Sequence, residues 1–114
     1  MKVGVYYSNS DVRVEERPAP IVGDRDILVR VMACGLCGSD LLEWYRIKRA
    51  PLVLGHEPAG IVVEAGKDVT AVKPGDRVFV THHVPCNTCR HCLSSHETAC
   101  TTFQSVNNFD PGGF

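Results

Sequence analysis

Along residues 2–80 the apolar positions fall in short runs with a two-residue period: "KVGVYY" at 2–7, "VRVEER" at 12–17, "DILVRVMAC" at 26–34, "GIVVEAG" at 60–66 and "DRVFV" at 76–80. Valine, isoleucine and tyrosine dominate them, and alternation of this kind fits a pleated, half-buried surface, so each run predicts a strand. Turn chemistry separates the runs. "RPAPIVGD" holds two prolines and a Gly-Asp pair, and "KPGDR" places Pro74 before Gly75. That order suits a type II turn, which wants a fixed φ and then a positive one. Before the cysteine-rich stretch only "SDLLEWYRI" at 39–47 reads as a helix. Ser39 or Asp40 would cap its first turn, and Leu41, Leu42 and Tyr45 would form one face. The pattern predicts a mainly β domain, with the glycines of "GIVVEAGKDVTAVKPGD" at turns and close-packing positions.

Composition narrows the class of protein. The 114 residues are enough for one ordinary domain with a core, and 44% apolar with 22% charged residues is the balance of a globular chain. No apolar run approaches the roughly 20 residues that cross a bilayer, and the N-terminus has neither an apolar signal core nor a cleavage site. A cytoplasmic protein without a membrane span is expected. Twelve basic and 13 acidic side chains leave a net charge of −1 with no basic stripe, which argues against nucleic acid as a partner. No G-x-G-x-x-G occurs, so no dinucleotide-binding turn is encoded. The final "NNFDPGGF" reads as a turn leading toward another strand, and the chain is expected to be a truncated or excised unit.

The cysteines change the picture most. Four of the six lie in "CNTCRHCLSSHETAC" at 86–100, spaced C-x2-C-x2-C-x7-C. In a reducing compartment clustered thiols bind metal more often than they form disulfides. Four thiolates at about 2.3 Å complete a tetrahedral zinc shell, which leaves no open position and therefore holds structure without doing chemistry. An iron–sulfur cluster begins with the same spacing, although the seven-residue gap and the lack of a following Cys-Pro weigh against it. His91 and His96 read as exposed loop residues.

A second constellation is split between "CGLCGSD" at 34–40 and "GHEPAG" at 55–60. A thiolate and an imidazole from separate loops, with a hydroxyl and carboxylates beside them, make a partial shell of the kind a catalytic metal uses. Cys34 and Cys37 also form a C-x-x-C, but without the βαβ surroundings of a dithiol redox site. His82 and His83 read either as cleft-facing or as ordinary loop residues. Trp44 and Tyr45 read as packing anchors.

Taken in order, "ACGLCGSDLLE", "PLVLGHEPAGIVVEAGKDVTAVKPGDRV", the four-cysteine stretch and "DPGGF" resemble the N-terminal catalytic domain of the zinc-dependent medium-chain dehydrogenases, the family of alcohol, sorbitol and threonine dehydrogenases. The resemblance runs from about Val3 to Phe114. It implies a GroES-like, partly open β-barrel over 1–114, with short helices, a zinc-binding lobe at 85–101 and no Rossmann domain. It further implies that Cys37, followed by Gly38-Ser39-Asp40, is the thiolate of a catalytic zinc, with His56 as its imidazole ligand and Glu57 as the adjacent carboxylate. Ser39 would pass the substrate's proton toward solvent, and Asp40 would orient His56. Cys86, Cys89, Cys92 and Cys100 would hold the structural zinc, leaving Cys34 a small buried thiol at a strand end.

The activity implied is oxidation of a small alcohol or polyol polarised by zinc, with hydride passing to NAD or NADP in a full-length, homo-oligomeric enzyme. The family's third catalytic-zinc ligand and its dinucleotide domain are not among these residues, so the isolated chain is expected to be inactive. A non-enzymatic zinc-binding or interaction domain is the alternative.

Overall fold

The computed structural model describes residues 1–82, 84–105 and 112–114. His83 and most of the turn expected in "NNFDPGGF" lie outside the described residues. Among the described residues six strands carry the fold: β1 (Lys2–Ser8), β2 (Asp11–Glu16), β3 (Ile27–Cys34), β4 (Leu52–Val53), β5 (Pro58–Ala65) and β6 (Arg77–Phe79). Five match the alternating runs. β4, only two residues long, is too short to show a period.

The strands form two antiparallel three-stranded sheets, ordered β2-β1-β4 and β3-β5-β6. The fold is mainly β, and no closed barrel forms among the described residues. In the first sheet β1 places Val3 and Val5 against Val53, while Tyr6 packs with Leu52, Leu54 and Phe114. Each such apolar side chain contributes about 1.5–3 kcal/mol on full burial. The backbone at Phe114 adds to this sheet: Gly4 N–H donates to Phe114 O at 2.9 Å and Phe114 N–H to Leu54 O at 3.1 Å. The second sheet buries Val62 (1% exposed) but leaves Met32 and Phe79 largely open to solvent.

At the β5–β6 turn Gly75 adopts φ +95°, and Asp76 N–H donates to Lys73 O at 3.1 Å, as the Pro74-Gly75 order predicts. The expected helix at 39–47 is instead broken into a 3-10 turn at Gly38–Leu41, α1 (Glu43–Arg46) and a second 3-10 turn at Ile47–Arg49. The face it buries also differs from the expected one. Leu41 and Leu42 are 62% and 42% exposed, whereas Arg46 is 1% exposed. The reason is polar: the Arg46 guanidinium has partners inside the turn, while the two leucines meet no apolar layer among the described residues. Beyond β6 come α2 (Arg90–Leu93), a 3-10 turn at Glu97–Ala99 and α3 (Thr101–Ser105).

Candidate metal centres

The β3–β5 ladder explains how two distant motifs meet. Its last rung pairs Cys34 with Pro58, and Gly35 N–H then donates to Glu57 O at 3.1 Å. Residues 35–37 therefore run beside residues 55–57. Cys37, His56 and Glu57 each offer a ligand atom, and these atoms all lie within 4.8 Å of one another. Glu57 is exposed, Cys37 is half-buried, and the His56 side chain is 7% exposed.

One carboxylate ties the two loops together. Asp40 Oδ2 accepts from the Cys37 N–H at 3.1 Å, and Asp40 Oδ1 lies 3.4 Å from His56 Nδ1. The first contact caps the turn that carries Cys37; the second sets the Asp40 carboxylate beside His56 Nδ1. Asp40 was expected to orient His56, and its position suits that task. The His82 ring stands edge-on to the His56 ring with centroids 5.0 Å apart, so His82 faces this site.

Arg46 is the residue that sequence reasoning missed. Its Nη2 donates to Asp40 Oδ1 at 3.2 Å and to Ser39 Oγ at 3.0 Å, and its Nε donates to Ser39 O at 3.1 Å. Ser39 thus sits on the same turn with its hydroxyl accepting from a buried guanidinium. No local signal marked Arg46, because an arginine in "YRIKR" reads as one of several solvated cations. Trp44 meets Tyr45 edge-on at 5.9 Å but is itself 67% exposed, so it anchors no core among the described residues.

Cys34 ends β3 half-buried, where burial pushes its thiol pKa up and favours a neutral packing role. Gly113 and Gly55 both approach its sulfur closely.

The second cluster lies in the segment after β6. Cys89 Sγ is 3.5 Å from Cys92 Sγ, and Cys86 Sγ is 3.9 Å from Cys92 Sγ. These separations are far longer than the S–S bond of about 2.05 Å in a disulfide, and all six cysteines are free thiols. They match the roughly 3.8 Å edge of a tetrahedron built on metal–sulfur bonds of about 2.3 Å. Cys100, 0% exposed, completes the cluster and accepts from Cys86 N–H at 3.4 Å. Backbone and side-chain donors at Thr88, with the Cys89 N–H, pull the Cys86 thiol down to about 5, while burial and its sulfur neighbours push Cys92 up to about 12. Four sulfurs this close cannot all carry charge without a cation among them, so the donor set fits a thiophilic metal. His96 is exposed as expected, whereas His91 is half-buried in α2, a helical turn and not a loop.

Comparisons with known proteins show the family. The alcohol dehydrogenase GroES-like domain family matches residues 23–114. A medium chain reductase/dehydrogenase of Acremonium sp. is 42% identical over 109 residues, which are 91% of this chain and 37% of that protein. A sorbitol dehydrogenase of Gallus gallus is 38% identical over 110 residues, covering 86% of this chain and 31% of the relative. Among solved structures, an alcohol dehydrogenase from Thermus sp. ATN1 superposes with a TM-score of 0.74 at 36% identity, over 89% of this chain and 30% of its own. The chain thus spans about a third of the length of the relatives it matches. It belongs to the alcohol dehydrogenase GroES-like domain family, among the medium-chain dehydrogenases.

Proposed function

We propose that residues 1–114 are catalytic-domain sequence of a zinc-dependent alcohol or polyol dehydrogenase that uses NAD or NADP, with a structural zinc lobe at 85–101. The observation that carries this reading is the convergence of Cys37, His56 and Glu57 within 4.8 Å, beside a carboxylate that contacts both of their loops. A zinc ion there would act as a Lewis acid, lowering the pKa of an alcohol group at the site. Cys37 and His56 would hold that ion, and Glu57, exposed at the rim, would supply a nearby carboxylate. Asp40 orients His56 through Nδ1. Ser39 carries a hydroxyl that accepts from a cation, which leaves its own proton free to be donated elsewhere and suits it to a relay toward solvent.

The second cluster, Cys86, Cys89, Cys92 and Cys100, has no open position and serves the lobe's structure. The names of the relatives, sorbitol and threonine dehydrogenase among them, favour a small hydroxylated substrate. A homo-oligomeric, cytoplasmic parent enzyme completes the reading; no helix among the described residues is long and apolar enough to cross a membrane.

Zinc content per chain tests the assignment. About two zinc ions are expected with zinc in excess, falling by one in Cys37→Ala and by one in Cys100→Ala. The 114-residue chain given alcohol and NAD or NADP should produce no reduced nicotinamide. Unchanged zinc content in Cys37→Ala would defeat the catalytic-zinc reading and favour a binding domain that uses only the four-cysteine site.

A further inference from the structure

We propose that Arg46 is the positioning residue of the Cys37–His56 site, setting the Asp40 carboxylate that aligns the His56 imidazole. The use of this positioning rests on the reading of Cys37 and His56 as metal ligands; its geometry does not. Arg46 and Asp40 side chains are 1% and 2% exposed. Their contacts form one connected set: Arg46 Nη2 to Asp40 Oδ1 at 3.2 Å, Asp40 Oδ1 to His56 Nδ1 at 3.4 Å, and Cys37 N–H to Asp40 Oδ2 at 3.1 Å.

A buried ion pair is a poor way to stabilise a fold, since well-packed apolar residues of similar volume do as well or better. What the guanidinium offers in its place is direction. It is planar and bears only donors, with no acceptor. With Nη2 and Nε committed to Asp40 Oδ1, Ser39 Oγ and Ser39 O, it fixes the carboxylate plane so that one oxygen faces the Cys37 loop and the other faces His56. The contact to Ser39 has a second effect. A residue that only donates cannot receive the Ser39 hydroxyl proton, so that proton must point elsewhere. Arg46 therefore gives both the imidazole and the hydroxyl a defined sense, the one through Asp40 and the other directly. The Arg46 guanidinium also lies 5.0 Å from the Tyr45 ring centroid, which limits its own freedom.

The test uses the 114-residue chain with one equivalent of zinc, which the four-sulfur cluster takes first, and with ¹⁵N-labelled histidine. Wild-type chain should show His56 protonated at Nδ1. Arg46→Met should lose that enforced tautomer, and cobalt(II) titrated into the Cys37 site should bind at least about tenfold more weakly. Arg46→Lys, which keeps a cationic donor for Asp40, should restore most of both signals. Far-UV circular dichroism identifies folded variants, and Arg46→Gln takes the place of Arg46→Met if the latter does not fold. A merely structural arginine would change the unfolding temperature without changing the tautomer. A folded Arg46→Met or Arg46→Gln chain with wild-type tautomer and cobalt affinity overturns the proposal. If His56 depends on Arg46 in this way but the wild-type chain binds no second metal, the positioning stands and the metal-ligand reading falls.

Discussion

Gly55 delivers the backbone to His56 at φ +99°, and Cys34 Sγ and Phe114 Cδ1 each lie 2.8 Å from where a Cβ on Gly55 would stand. Both the conformation and the space require glycine. Gly55→Ala is expected to lower the unfolding free energy by about 1–3 kcal/mol. It should also weaken metal binding at the Cys37 site more than at the four-cysteine cluster, because the strain sits one residue before His56. Urea unfolding and zinc counting on the same sample check this. Equal stability and full zinc content would show that the loop accommodates a side chain without displacing His56.

On the proposed reading, the segment 85–101 should depend on a metal held by its four cysteines. Within it α2 contacts the Glu97–Ala99 turn, which also meets the following α3, and its buried anchor is Cys100. Zinc present at about a hundredfold over its Kd stabilises the bound form by about 2.7 kcal/mol. Chelation should therefore open the lobe to protease cleavage within 85–101 while the two sheets stay protected. Limited proteolysis followed by mass spectrometry reads the cut sites. Cleavage that begins in β1 or β3 would mean that the sheets, and not the lobe, rely on the metal.

Beside the Val3, Val5 and Val53 cluster of the first sheet, the Tyr7 hydroxyl donates to Glu15 Oε1 at 2.6 Å. That hydrogen bond is the main cause of two opposite shifts: it raises the Tyr7 pKa and lowers that of Glu15. The signs differ in their effect on stability. The raised tyrosine contributes stability that is fully present below its unfolded pKa of about 10 and is lost as pH climbs through the folded value. The lowered carboxyl contributes stability that is present above its unfolded pKa of about 4.3 and is lost as pH falls through the folded value. Between these limits the pair is indifferent to pH. Glu15→Gln should bring one of the three tyrosine ionisations down toward the ordinary value, as followed by tyrosinate absorbance. An unchanged titration curve would mean that the bond is not formed in solution.

Much of this architecture was legible because it depends on period and spacing. "KVGVYY" became β1 and "DILVRVMAC" became β3, as their alternation requires. Pro74-Gly75 formed the turn that its φ preferences dictate, and the cysteine intervals predicted a cluster that the sulfur separations reproduce. What escaped depends on partners remote in sequence or on elements too short to repeat. Leu52 and Val53 form a strand only because Val5 and Tyr6 pair with them. The burial of Arg46 follows from the positions of Ser39 and Asp40, and no window of hydropathy contains that information. The expected Leu41–Leu42–Tyr45 face failed for the same reason: helical periodicity says which residues share a side, but not which side the rest of the molecule covers.

The Cys34–Pro58 rung has a consequence for how this site can vary among proteins. Because the Gly35–Glu57 bond closes one end of the excursion and the pairing of β4 with β1 holds Leu52 and Val53, the stretch between Arg46 and β4 runs between two fixed points. Doubling the length of a flexible loop costs only about 0.6 kcal/mol in closure entropy. Residues added at the exposed Ile47–Arg49 turn would lengthen that stretch while Cys37 and His56 keep their places. The connection between Arg46 and β4 is thus free to change in length and chemistry with little effect on the residues at either end.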